Sequence, residues 1–136
     1  MEALEYLAAL VLLGHGVGHL VGVLPAWASI GMGGVKDRPW ILPGGHLMDS
    51  AVGKLWGVVW LAAMILFMIS SAGVLLDKWW WRQWAVVGSV VSIVAIVPWW
   101  NSVVAGAKAG VALDVAIILV LLLPWGEKIT DFFEVP

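Results

Sequence analysis

Two histidines stand one helical turn apart in an apolar, glycine-rich stretch near the start of the chain. Residues four positions apart lie on the same face of an α-helix, so the imidazoles of His15 and His19 are expected to point the same way. Imidazole can ligate a metal, form hydrogen bonds or carry a proton near neutral pH. Ionisable groups inside a membrane-spanning helix are costly and mark candidate functional sites. The pair is therefore the first candidate for chemistry.

The composition indicates an integral membrane protein. Of the 136 residues, 62% are hydrophobic and 12% are charged, whereas an ordinary soluble domain carries about 25% charged residues. With a net charge of −2, the chain offers no basic patch for phosphates, which argues against nucleic acid as a partner. The absence of cysteine excludes disulfides and thiolate metal ligands.

Four segments are long and apolar enough to cross a lipid bilayer, for which a helix needs about 20 residues. We predict an all-α fold, a four-helix transmembrane bundle that forms one domain of residues 1–136, with both termini on one side. The predicted helices cover residues 4–24, 53–76, 80–98 and 107–124, and a long loop covers residues 25–52. We expect this multi-pass protein in the inner, cytoplasmic membrane of the cell.

Asp114 is the predicted partner of the histidines. Consecutive spans run in opposite directions, so the first predicted helix ends, and the fourth begins, on the side of the long loop. With about 1.5 Å of rise per residue, His19 and Asp114 lie about 8 to 10 Å below that side, and His15 lies about one turn deeper. A carboxylate at this depth must face protein or a water-filled cavity. We therefore expect one polar cluster that opens toward the long loop.

Further polar residues are expected on the same side of the membrane. They come from the third helix, its end, the second helix and the long loop: Ser92, Asn101, Lys54, His46 and Asp49. The predicted ligand-binding residues are His15, His19, Asp114, Ser92, Asn101 and Lys54. The opposite half of the bilayer is expected to contain almost nothing polar.

Glycines at every fourth position, Gly14, Gly18 and Gly22, accompany the histidines on the first predicted helix. Small residues let two helices approach closely where lipid offers no hydrophobic drive for packing. This pattern predicts that the histidines lie inside a helix–helix contact and do not face lipid.

Several kinds of ligand are compatible with the cluster. A divalent metal ion could be bound by two imidazoles and a carboxylate, a common ligand set for transition metals. The residues for such a site are His15, His19, Asp114, His46 and Asp49. Haem or a quinone could use one histidine as a ligand or hydrogen-bond donor, although histidines on adjacent turns cannot easily take both axial positions of one haem.

Proton handling and a purely structural role complete the alternatives. His15, His19 and Asp114 could relay protons or bind a cation or a small polar ligand in a cavity. Alternatively, they form a buried network that fixes the bundle, with interhelical hydrogen bonds worth about 0.6 kcal/mol each. A binding or transport protein ranks above an enzyme. The alternatives are a metal-dependent membrane enzyme acting on a lipid-soluble substrate, or a structural subunit of a larger membrane complex; a homo-oligomer is also plausible.

Four features follow one another along the chain. They are the His15-Gly16-x-x-His19-Leu20-x-Gly22 run, the Gly53-x-Leu55-Trp56 opening of the second helix, the tryptophan-rich start of the third, and Ala105-Gly106-Ala107 before the fourth. In this order they resemble a group of short four-helix integral membrane proteins of bacteria and archaea. The resemblance implies the same fold. That group has no established activity, so the resemblance implies nothing about function.

Overall fold

A computed structural model describes residues 3–30, 48–100, 103 and 105–123 of the chain. These residues form helices and turns, without a strand among them. The elements in order are α1 (Ala3–Gly18), α2 (Leu20–Trp27), α3 (Ala51–Leu75), α4 (Trp81–Ile96), a 3₁₀ turn (Val97–Trp99) and α5 (Ala105–Leu122). The all-α fold predicted from the sequence is confirmed.

Four helical spans in the described residues are long and apolar enough to cross a membrane. They are α1 continued by α2, then α3, then α4 continued by the 3₁₀ turn, and finally α5. The chain is thus a multi-pass membrane protein. The observed ends lie within about three residues of the predicted ones. The first span continues to Trp27 and contains Pro25 inside α2, whereas the prediction ended it before this proline.

Helix α3 is the centre of the bundle, because α1, α2 and α4 all pack against it. Its buried side chains Trp60 and Phe67 lie in two separate apolar clusters. The cluster of Trp60 also contains Trp99 of the 3₁₀ turn. All three of these rings are almost completely buried. Since lipid tails are as apolar as these side chains, such clusters stabilise the bundle by close packing more than by withdrawal from solvent.

The α3–α4 turn has a backbone arrangement typical of helix ends. Asp77 adopts a left-handed conformation with φ of 50°, and its N–H donates to the carbonyl of Val74 at 3.1 Å. The N–H of Lys78 donates to the carbonyl of Gly73 at 2.9 Å, which completes a Schellman motif. The turn reverses the chain tightly, so α3 and α4 are antiparallel neighbours.

Helix α5 lies at the edge of the bundle and packs mainly on α4. In its most apolar window 11% of the residues are buried, against 33 to 39% in the other three spans. Over the described length of α5, Asp114 is its single buried residue. The helix that carries the predicted carboxylate is therefore the one least enclosed by the rest of the protein.

The glycine pattern of the first span is only partly engaged in packing. A Cβ atom at Gly22 would overlap the indole of Trp60, so a close approach is required there. A Cβ atom at Gly14 or Gly18 would meet nothing within 4 Å. The prediction of close packing is therefore right for Gly22 and wrong for Gly14 and Gly18, because α5 stands away from α1 at this level.

Candidate functional site

The first span is interrupted at His19, and this interruption positions the imidazole. The N–H of His19 donates to the carbonyl of Gly16 at 3.0 Å, three residues back, instead of continuing the α-helical pattern. The carbonyl of His15 is thereby freed and accepts from Nδ1 of the His19 ring at 2.9 Å. Gly18, directly before His19, lowers the cost of leaving helical geometry. The predicted continuous helix through this region is thus replaced by two helices.

Four side chains join into one hydrogen-bonded assembly, hereafter the polar network: His15, Asp114, Ser92 and His19. Nε2 of His15 lies 2.7 Å from one carboxylate oxygen of Asp114. The hydroxyl of Ser92 lies 2.5 Å from the other carboxylate oxygen and 2.8 Å from Nε2 of His19. The network therefore links α1, α4 and α5 through side chains alone.

The polar network is enclosed by aromatic rings. The side chains of His19, Ser92 and Asp114 are at most 2% exposed, and that of His15 is 8% exposed. Phe67 meets the His15 ring edge-on, with 4.5 Å between ring centroids, and Trp60 lies 5.7 Å from the His19 ring. Hydrogen bonds are electrostatically stronger in such low-dielectric surroundings, and an unpaired polar atom is correspondingly costly.

Together with the bond from the His19 ring to the His15 carbonyl, the polar network has four hydrogen bonds, and these constrain how many protons it holds. A carbonyl can only accept, so Nδ1 of His19 must carry a hydrogen. The three remaining contacts each need one hydrogen, and the hydroxyl of Ser92 can supply one of them. The other two hydrogens come from the imidazoles and from the carboxyl group of Asp114.

Two arrangements without net charge satisfy every contact. In the first, Ser92 donates to the carboxylate of Asp114, and His19, as an imidazolium, donates to Ser92. In the second, a protonated Asp114 donates to Ser92, which donates to a neutral His19. In both, a neutral His15 donates its Nε2 hydrogen to Asp114. The arrangements differ only by a shift of two hydrogens, so His19 and Asp114 can exchange a proton through Ser92.

One ring nitrogen of the polar network faces outward. Nδ1 of His15 has no hydrogen-bond partner among the described residues. A Cβ atom at Gly110 of α5 would lie 3.1 Å from Cε1 and 3.7 Å from Nδ1 of this ring. Gly110 thus lies against this edge of the His15 imidazole, and Nδ1 can accept a further hydrogen there.

A crevice of about 400 Å³ lies beside this nitrogen, between α1 and α5. We call it the histidine crevice. Its walls include four glycines and three rings: Gly14, Gly18, Gly106, Gly110, His15, His19 and Trp60. Because Gly14, Gly18 and Gly106 are exposed within membrane-spanning helices, the crevice opens at the side of the bundle.

Of the predicted ligand-binding residues, His15, His19, Asp114 and Ser92 are brought together. Lys54 is exposed on α3 and forms no part of the polar network. Asn101 lies outside the described residues. That the assembled side chains bind a ligand stays a prediction.

The members of the predicted metal set that the structure describes do not form one site. Within the described residues, no group of three histidine, cysteine or acidic side chains is placed to hold one metal ion. The reason is geometric, because Nε2 of His15 is directed at Asp114 and Nε2 of His19 at Ser92. Asp49 is exposed beside the start of α3, and His46 lies outside the described residues.

Several buried polar groups were not predicted from the sequence. Ser70, Ser71 and Ser89 are buried, so the other half of the bundle is more polar than predicted. The hydroxyl of Ser71 donates to the carbonyl of Ala9 at 2.8 Å, whereas that of Ser89 has no partner in the described part of the chain. Trp60 was also missed. Its position in the middle of a span, away from either interface, is the signal that distinguishes it from the other tryptophans.

The protein was compared with known families, curated proteins and solved structures. No family model, curated protein or solved structure matches the chain. The geometry of the polar network and of the crevice beside it is therefore the basis for the proposed function.

Proposed function

We propose that this protein of the inner membrane handles protons within the bilayer, in the service of transport, through the polar network. The observation that carries the proposal is the unbroken series of hydrogen bonds from His15 through Asp114 and Ser92 to His19. Buried ionisable groups of this kind mark proton relays and ion paths in membrane proteins. Three ionisable groups are also a costly way to obtain a few interhelical hydrogen bonds of about 0.6 kcal/mol each.

The relay begins at the outward-facing nitrogen of His15. A proton from the histidine crevice binds Nδ1, and the Nε2–H bond on the other side of the ring breaks as an O–H bond forms on Asp114. In the second arrangement, the other O–H bond of Asp114 breaks as its hydrogen passes to Ser92, and Ser92 passes its own hydroxyl hydrogen to Nε2 of His19, which becomes an imidazolium. Imidazole suits this role because its two nitrogens can receive and release a proton on opposite edges.

A structural subunit is the second candidate, and the position of α5 favours it. This helix is mostly exposed, and only its Asp114 is buried over the described length. In that case the polar network serves to hold α5 on the bundle, and its exposed face packs on a second copy of the chain or on a larger membrane complex. Proton movement then plays no part.

Proton flux into liposomes separates the two candidates. Purified protein is reconstituted with an internal pH-sensitive dye, and a potassium gradient with valinomycin drives protons inward. We expect acidification faster than in empty liposomes, and a return to the empty-liposome rate in Asp114→Asn, which keeps the shape of the side chain but not its titration. Asp77→Asn is the matched control, because Asp77 is exposed in the α3–α4 turn.

Two outcomes would contradict the relay. One is wild-type flux equal to that of empty liposomes. The other is flux that Asp114→Asn leaves unchanged. Either result favours the structural candidate.

A further inference from the structure

A second crevice adjoins the histidine crevice along the line where α1 and α5 face each other. It measures about 280 Å³, is lined almost wholly by apolar atoms, and we call it the apolar crevice. Val11 and Leu113 line it, whereas Gly14 and Gly110, about one turn away on the same two helices, line the histidine crevice. The two crevices therefore lie end to end along α1 and α5, on either side of the His15–Asp114 contact, and we call them together the groove.

The groove has one polar end and one apolar end. Among the described residues, its unpaired ring nitrogens are Nδ1 of His15, in a side chain that is 8% exposed, and the buried Nε1 of Trp60. The described residues that line either crevice include no lysine, arginine, aspartate or glutamate. A permanently charged head group would find no partner there, and burying it unpaired would be costly. The described lining therefore favours a ligand that is neutral when it enters.

We infer that this groove binds a lipid-soluble weak acid: a single apolar chain with one protonated oxygen, such as a long-chain carboxylic acid. Its chain lies in the apolar crevice and its O–H donates to Nδ1 of His15. Ligand pockets of about 300–1,000 Å³ with few polar groups are usual for molecules of this kind. The site opens sideways, so a ligand dissolved in the membrane reaches it without crossing water.

In the proposed function this ligand would donate a proton to His15. The inference depends on the proposed function only for this proton transfer. The O–H bond of the acid breaks as the Nδ1–H bond of His15 forms. The Nε2–H bond of His15 then breaks as an O–H bond forms on the carboxylate of Asp114. The transfer leaves a ligand anion beside a polar network with one positive charge, so the charges balance.

Photolabelling tests the site directly. The probe is dodecanoic acid with a photoreactive diazirine on its chain, added to the full-length protein in bilayer nanodiscs, with labelled peptides mapped by mass spectrometry. We expect labels on α1 and α5, competed by unlabelled dodecanoic acid and not by its methyl ester, which lacks the O–H. Equal competition by the ester would show that the groove only accepts acyl chains, and would overturn the inference.

Two variants fill the histidine crevice without touching the polar network. A Cβ atom at Gly106 or Gly14 would meet nothing within 4 Å, so Gly106→Leu and Gly14→Leu can be accommodated. Each should lower acid-specific labelling by about tenfold, since forcing a ligand into occupied volume costs at least 1 to 2 kcal/mol. Ala112→Leu is the control, on an exposed position of α5 that lines neither crevice.

The outcomes separate this inference from the proposed function. Unchanged labelling in both filled variants would overturn the weak-acid site. If no acid-specific label forms on the wild type while proton flux still depends on Asp114, the weak-acid site is wrong and the relay stands. If labelling is specific while flux is insensitive to Asp114→Asn, the binding site stands and the relay is wrong.

Discussion

His15 and Asp114 are 99 positions apart in the sequence, yet Nε2 of one lies 2.7 Å from a carboxylate oxygen of the other. This contact joins α1 to α5, two helices that leave a crevice on either side of it. Asp114 is the single buried residue of α5 over its described length, so the contact involves the most enclosed side chain of this helix. The same pair thus joins α5 to the bundle and is the proposed entry point of the relay.

Removing the carboxylate should loosen α5. Asp114→Ala deletes the hydrogen bonds to His15 and Ser92, so we expect a loss of about 1 to 3 kcal/mol in the free energy of unfolding. Asp114→Asn should lose less, since its amide still reaches both partners. Unfolding in mixed micelles by titration with dodecyl sulfate measures the difference, and equal stability of Asp114→Ala and wild type would show that the bonds do not hold α5.

Two serines on one face of α4 provide a matched pair. Ser92→Ala leaves Nε2 of His19 and one oxygen of Asp114 unpaired inside the bundle, which should cost about 1 to 3 kcal/mol of unfolding free energy. Ser89→Ala removes a buried hydroxyl that has no partner in the described part of the chain, so its cost should be close to zero. A larger loss for Ser89→Ala than for Ser92→Ala in the same micelle titration would contradict the assigned hydrogen bonds.

The glycines of the first span should respond to alanine in opposite directions. Gly22→Ala places a methyl group into the indole of Trp60 and should destabilise the protein by about 1 to 3 kcal/mol. Gly14→Ala meets open space and should stabilise the helix by about 0.5 to 1 kcal/mol. The unfolding free energies of the two variants test the open α1–α5 gap, and a destabilising Gly14→Ala would mean that another surface covers it.

Much of the polar network follows from two simple regularities. Helical spacing places His15 and His19 on one face, and the alternating direction of consecutive spans places Asp114 and Ser92 at a matching depth. These regularities need only the positions of the spans, which long apolar runs reveal well. They were sufficient to predict that His15, His19, Ser92 and Asp114 lie close together.

Details that depend on local competition could not be predicted in this way. The helix breaks at His19 because the His19 ring bonds to the carbonyl of His15 while the His19 N–H bonds to that of Gly16. The spacing of apolar residues does not indicate which carbonyl each group will use. The open space at Gly14 and Gly18 depends on how far α5 stands from α1, which a small-residue pattern does not determine. Buried serines such as Ser71 bond to a carbonyl of a neighbouring helix, and their partners are visible only in three dimensions.

Nitrogen-15 solid-state NMR of histidine-labelled protein in bilayers reports which ring nitrogens carry hydrogen, and it therefore tests the proton relay at its entry point. We predict a protonated Nδ1 in His19 and a protonated Nε2 in His15, and we predict that acidification adds the next proton at Nδ1 of His15. Asp114→Asn should alter the signals of both rings. A His15 ring that never carries hydrogen on Nδ1 during acidification, or spectra that Asp114→Asn leaves unchanged, would contradict the relay.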